Sequence, residues 1–349
     1  MVYEVDITQV TDNGLDDTNA QVSELGDIVW QQEVSVNDID IQYYSFLGTE
    51  RQIADSSIDE INPDISSIGS VAFVEEFSTN DLDVAYYDIF EDEAITIATG
   101  SNNEYNPQLT DDYVVYEEEF SATDTDISLY DIAEDETITI ATKSGNEYNP
   151  RIAGEYVVYE EEFSATDTDI SLYDIAEDET ITIATNSKNE ANAQVSALGH
   201  VVYEFEFGDS DLDIKFYDYD TEETTTLATS TFDELNPQIA GEYVTWEAWD
   251  GNDYEIYRYD NVTGDTLKIT NNTVDDFNAQ VSEEGFVVYE RELSSTDTDV
   301  FLYAGTETIA LGNSSLEELN PQISDNYVSW SAWDGNDYEI FSAEITETI

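Results

Sequence analysis

The 349 residues contain no cysteine. That excludes disulfides, thiolate metal sites and a cysteine nucleophile. Basic residues are nearly absent: eight Lys and Arg stand against 82 Asp and Glu, a formal net charge of −74. Eight cations cannot neutralise a phosphate track, so nucleic acid and anionic membrane surfaces are not expected partners. The one histidine, His200, builds neither a His-based metal cluster nor a convincing catalytic triad. A Gly-rich phosphate cradle is missing as well. No apolar run is long enough to span a bilayer, so membrane insertion is not expected. Met1 is followed by Val-Tyr-Glu-Val-Asp, with neither a basic nor an apolar leader region. No signal peptide is therefore expected in this chain, which would be cytoplasmic or a mature domain carrying an added Met.

Hydrophobic residues make up 40%, with 24 Tyr and 14 Phe. Disorder needs low hydrophobicity together with high net charge, and only the charge is present. The acid is spread through the whole chain rather than gathered in one patch. That distribution resembles the surface of a protein from an extreme halophile. Self-repulsion would oppose compaction in dilute salt and be screened in concentrated salt.

One short stretch recurs: Asn-(Pro or Ala)-(Gln, Asp or Arg)-(Val, Ile or Leu). It begins at Asn19, Asn62, Asn106, Asn149, Asn192, Asn236, Asn278 and Asn320, with gaps of 43, 44, 43, 43, 44, 42 and 42 residues. Each repeat holds four strand-like segments; in the fourth these are 149–152, 156–163, 169–175 and 180–185. Period-2 alternation and intervening turn residues mark them, and helical periodicity is absent. Four strands per unit of about 40–45 residues predict an all-β, eight-bladed propeller of four-stranded antiparallel blades, against seven as the alternative count. We expect one domain over 1–349. The last repeat lacks its fourth strand. Thr8-Gln9-Val10-Thr11 precedes Asn19 as Leu267-Lys268-Ile269-Thr270 precedes Asn278, so residues 8–11 are expected to complete blade eight and close the ring.

The sixth and eighth repeats carry Trp-Glu-Ala-Trp-Asp-Gly-Asn-Asp-Tyr-Glu-Ile-Tyr (246–257) and Trp-Ser-Ala-Trp-Asp-Gly-Asn-Asp-Tyr-Glu-Ile-Phe (330–341). With Asn-Pro-Gln-Ile-Ser-x-x-x-Tyr-Val-x-Trp, these segments resemble the WD-like propeller repeats of TolB, and more closely the surface-protein propellers of archaea and bacteria. The Ser-Pro-Asp-Gly turn of that pattern is degenerate here, as Ser23-Glu24-Leu25-Gly26, Ser66-Ser67-Ile68-Gly69 and Ser282-Glu283-Glu284-Gly285. The resemblance covers essentially the whole chain. It implies a fold; function must come from a site.

Candidate site residues are those that depart from the repeat. Asp64 and Arg151 break a row of Gln at the third anchor position, and could pair or face a ligand. Trp249 and Trp333 abut hairpin turns, where an indole can meet sugar or protein, or pack between blades. The Asp-x-Asp loops Asp124/Asp126, Asp167/Asp169 and Asp297/Asp299, with Asp81/Asp83, Asp211/Asp213 and Asn37/Asp38/Asp40, offer oxygen ligands for Ca²⁺ or simply cap hairpins. The second Asp of that motif is matched to Asp253 and Asp337. Sequons occur at Asn261, Asn271 and Asn313. No catalytic residue is assigned and no cofactor is required, with Ca²⁺ as the candidate ion.

The expected function is non-enzymatic: a salt-adapted module that binds a protein or glycan, at a cell surface or in a secreted assembly. It would be a monomer or one domain of a larger chain. The alternative is a carbohydrate-active hydrolase or lyase using funnel carboxylates, with or without a divalent metal.

Overall fold

The computed structural model describes residues 2–348 apart from 37, 80, 100, 101, 144, 165, 186, 208–210 and 313. Of the sequence candidates, Asn37 and the Asn313 sequon lie outside the described residues. The chain gathers into two compact units, Met1–Asp111 with Ser282–Ile349, and Asp112–Val281. Blades one, two and eight belong wholly to the first unit; blades four, five and six belong wholly to the second.

Eight sheets of four antiparallel strands are present, as the period requires. Blade four shows the plan: inner strand Glu147–Ala153, second strand Tyr156–Ser164, third strand Asp167–Asp174 and outer strand Glu179–Ala184. Successive strands pair by hairpins. Blade eight takes its outer strand from the other end of the chain. Val2–Gln9 pairs antiparallel with Tyr338–Thr348, from Val2 opposite Thr348 to Gln9 opposite Phe341. The equivalence of Thr8–Thr11 and Leu267–Thr270 holds atom by atom. Ile340 N–H donates to Thr11 Oγ1 at 2.8 Å, and Ile256 N–H donates to Thr270 Oγ1 at 2.8 Å.

The second and third strands are buried on both faces over much of their length, because adjacent blades within each unit pack against one another. One aromatic position in the second strand recurs as Trp30, Phe73, Tyr116, Tyr159, Tyr203, Trp246, Tyr289 and Trp330, all 0–3% exposed. Core clusters form between adjacent blades. Val29, Ile41 and Tyr43 meet Phe73 and Tyr87 in the first unit; Val202 and Phe216 meet Val244 and Trp246 in the second.

All eight anchor asparagines adopt positive φ, between 51° and 54°. Asn tolerates the left-handed region better than other side chains. In blade four it sits where the inner strand bulges, between Tyr148 and Arg151. The bulge turns the Asn N–H outward to the preceding blade. Asn149 N–H donates to Glu117 Oε1 (2.9 Å), Asn192 N–H to Glu160 Oε1 (3.0 Å) and Asn236 N–H to Glu204 Oε1 (2.7 Å). Asn278 with Glu247, and Asn320 with Glu290, repeat the contact at 2.8 Å. The anchor is thus a blade-to-blade clasp, and the requirement for φ > 0 explains its identity. Asn192→Ala is expected to be less stable than Asn192→Gly by about 1 kcal/mol, since both lose the amide but only Ala strains the backbone. Urea unfolding in concentrated KCl measures the difference. An alanine variant as stable as the glycine variant would remove the backbone explanation.

Candidate functional site

An acidic residue stands two places before every anchor: Asp17, Glu60, Glu104, Glu147, Glu190, Glu234, Asp276 and Glu318, all 0–3% exposed. Sequence reasoning missed these, because one more acid in so acidic a chain carries no signal. Their spacing from the anchor was the available clue. Several accept hydrogen bonds from the residue four places earlier and so hold the between-blade loop against the inner strand. Glu147 takes Lys143 N–H at 3.0 Å, Glu60 takes Ser56 N–H at 3.2 Å, and Glu318 takes Ser314 N–H at 3.2 Å. Burial pushes Glu60, Glu147 and Glu318 up to about 7. Glu160, the clasp acceptor, is pushed up to about 7 by burial against the donors Asn149 and Asn192.

Blades six and eight add matching clefts. In both, a small residue replaces a large one opposite the third-strand acid. Ala248 faces Glu255 and Ala332 faces Glu339, where other blades place Gln32, Glu75, Glu118, Glu161, Phe205 or Arg291. The missing bulk opens a cleft over the core indole. In blade six Leu227, Phe232, Glu234, Ala248, Trp249 and Tyr257 line it, above Trp246. In blade eight the lining is Leu311, Leu316, Glu318, Ala332, Trp333 and Phe341, above Trp330. The walls are preset by packing. Trp249 meets Tyr254 edge-on, and Trp333 meets Tyr338 edge-on, each with centroids 5.1 Å apart. Such a cleft offers aromatic surface and one buried carboxyl, a match for a sugar ring or for a side chain with an apolar body and a polar tip.

In the remaining blades an exposed apolar residue stands at the end of the second strand or just past it. These are Val34, Phe77 and Leu293 in the first unit, and Phe120, Phe163 and Phe207 in the second.

Trp249 and Trp333 are therefore at the clefts. Asp64 and Arg151 have local partners: Asp64 Oδ2 accepts Leu109 N–H at 3.0 Å, and Arg151 Nη1 donates to the Pro150 carbonyl at 2.9 Å. Gln108 makes the same contact to Pro107, so Arg151 follows the pattern of the Gln it replaces. In the Asp-x-Asp loops the first residue, Asp124, Asp167 or Asp297, is half-buried at the hairpin. The second lies deeper in two of them, Asp169 and Asp299, while Asp126 is half-buried. Burial, then repulsion from Asp124 or Asp167, raises Asp126 and Asp169. Burial raises Asp299, and the carboxylate of Asp297 beside it acts in the same direction. Register shifts one match: Glu255 and Glu339, not Asp253 and Asp337, occupy the second Asp's place before the buried Ile256 and Ile340. His200 is buried and structural. Its Nδ1 accepts Tyr219 N–H at 3.1 Å, and its ring lies against Phe216.

No family model matches the chain. No curated protein matches it either. Solved structures do match. A prolyl endopeptidase, from work on two such enzymes, aligns over 92% of this chain and 55% of its own at 11% identity and a TM-score of 0.67. The propeller domain of the trilobed protease of Pyrococcus furiosus aligns over 86% of this chain and 99% of its own, at 14% identity and a TM-score of 0.61. An oligogalacturonate lyase in complex with manganese aligns over 99% and 96%, at 11% identity and a TM-score of 0.59. The chain spans a little over half the length of the prolyl endopeptidase it matches. At these identities the likeness is one of architecture, and what this chain shares with all three is the β-propeller fold.

Proposed function

We propose that the chain is a non-enzymatic, salt-adapted propeller that binds a protein or glycan partner, in a cell-surface or secreted assembly. The observation that carries the reading is the pair of matching clefts in blades six and eight, walled by Trp249 and Trp333. Two copies of one aromatic cleft fit repeated recognition of one kind of group better than a single reaction centre. Salt adaptation is supported by the 82 acidic residues and by their spread over every repeat. Several of the deepest carboxylates, such as Glu60, Glu147 and Glu160, are occupied with loop clasps and blade clasps, which accounts for them structurally.

Tryptophan fluorescence in concentrated KCl tests the reading, with titration of neutral oligosaccharides, polyuronates and peptides carrying Lys or Tyr. Saturable binding by one class is expected, without change in the ligand by chromatography. Trp249→Ala combined with Trp333→Ala is expected to weaken it on the order of tenfold or more. Steady turnover of a glycan or polyuronate would overturn the non-enzymatic reading. Unchanged affinity in the folded double variant would move binding away from the clefts.

A further inference from the structure

The hairpins beside the two clefts differ in one respect that bears on ion binding. In blade six, carboxylate oxygens of Asp250, Asp253 and Glu255 lie within 4.8 Å of one another. The ammonium of Lys268 pairs with two of them, 3.2 Å from Asp250 Oδ2 and 3.5 Å from Glu255 Oε1, and Asp253 Oδ1 accepts the Asn252 side-chain amide. Lys268 comes from the outer strand, opposite Tyr257. In blade eight, Asp334, Asp337 and Glu339 make the same cluster, again within 4.8 Å. Phe341 takes the place of Tyr257, and the residue opposite it is Gln9. The blade-eight cluster keeps all three acids and has lost the cation that register would supply.

The orphaned charge is deep. Asp337 is 4% exposed, and neither of its carboxylate oxygens has a hydrogen-bond partner among the described residues. Glu339 is fully buried; its Oε1 accepts Asn13 N–H at 2.9 Å, and its Oε2 has no hydrogen-bond partner among the described residues. Burying an unpartnered carboxylate is costly unless a cation or a proton neutralises it. The spacing suits one hard cation. Oxygens bind Ca²⁺ at about 2.3–2.6 Å, so two ligands of one ion can be up to about 5 Å apart. Asp334 is exposed and gives the ion an entry from solvent.

We propose that Asp334, Asp337 and Glu339 form a divalent-cation site, with Ca²⁺ as its ion. The ion does in blade eight what the Lys268 ammonium does in blade six: it neutralises a buried carboxylate cluster and fixes the hairpin. The site is blade eight's counterpart of the Asp-x-Asp pairs, enlarged by Asp334, which also lines the rim of the adjoining cleft.

Terbium is the first probe, because Trp333 and Tyr338 flank the ligands in sequence and can sensitise its emission. Concentrated KCl suppresses diffuse binding to the acidic surface. One saturable terbium site, displaced by Ca²⁺, is expected, together with a Ca²⁺-dependent rise in melting temperature of about 3 °C or more. Asp337→Asn should lose both. Gln9→Lys is the decisive variant, since it restores the blade-six arrangement: it should melt higher than the parent in EDTA and no longer respond to Ca²⁺. Absence of saturable emission and of a Ca²⁺ shift in the parent chain would overturn the proposal. So would a folded Asp337→Asn that retains both responses. If Asp337→Asn does not fold, a Gln9→Lys variant that responds to Ca²⁺ as the parent does overturns it instead.

Discussion

Lowering the pH from about 8 to about 5 in concentrated KCl is expected to raise the melting temperature, on the order of 10 °C. The direction is opposite to ordinary acid destabilisation. It follows from Glu60, Glu147, Glu160 and Glu318, each pushed up to about 7 by burial from an ordinary value of 4.5. Burial also raises Asp17, Glu204, Glu234 and Glu339. For such a group the folded chain binds more protons than the unfolded one between the two values. Stability is then fully present below the unfolded value and is lost as pH rises through the folded one. The window is about pH 4.5 to 7 for the four glutamates. Asp250 is the counter-case, held below the usual range by the hydrogen bond from Lys268, but it lies at the surface and contributes little. Running the melts in concentrated salt separates this effect from surface repulsion, which has the same sign but is screened. Glu160→Gln tests one contributor. It should be more stable than the parent near pH 8 and show a shallower rise on acidification. A melting temperature that is flat or falls between pH 8 and 5 would show that these carboxylates are ionised at little cost.

The blade count and the exchange of termini were legible because both rest on spacing, and a propeller repeats its spacing. The matched runs Thr8–Thr11 and Leu267–Thr270 pointed to the N-terminal segment as the outer strand of blade eight, although that strand runs Val2–Gln9 and so begins six residues before the expected 8–11. The buried acids were not legible. A carboxylate at 0% exposure, such as Asp17 or Glu190, has the same letter as one in solvent, and in this composition acid reads as surface. The anchor Asn was recognised as structural, but its reason lies in a backbone angle that only the coordinates show. The clefts were half visible. Trp249 and Trp333 drew attention by rarity, while the alanines that make room beside them, Ala248 and Ala332, did not. A cavity depends on which large residue is missing opposite a given strand position, and that needs the register. The same holds for Gln9: its meaning appears only when it is found standing where Lys268 stands.

Raising KCl from about 0.1 M to several molar is expected to raise the melting temperature at neutral pH by tens of degrees, with partial unfolding at the low end. The Debye length falls from about 10 Å to about 3 Å over the first decade of that range. Repulsion among surface acids, exposed at the outer strands and hairpins, is therefore removed almost completely. Local pairing cannot do this work, because only eight Lys and Arg are available for 82 acids. One of the pairs that do form, Arg51 with Asp92, lies at the surface, where an ion pair contributes little. Chloride salts should be used, since sulfate would strengthen apolar burial as well. Choline chloride at equal ionic strength separates the two components. A bulky cation screens as well as K⁺ but enters no carboxylate cluster. If choline reproduces the full rise, screening accounts for the salt dependence. If it reproduces only part, the remainder belongs to cations held at sites such as Asp334, Asp337 and Glu339, and should shrink in Gln9→Lys. A melting temperature that does not move with KCl would sink the salt-adapted reading, and would require the charge of −74 to be tolerated by the fold itself.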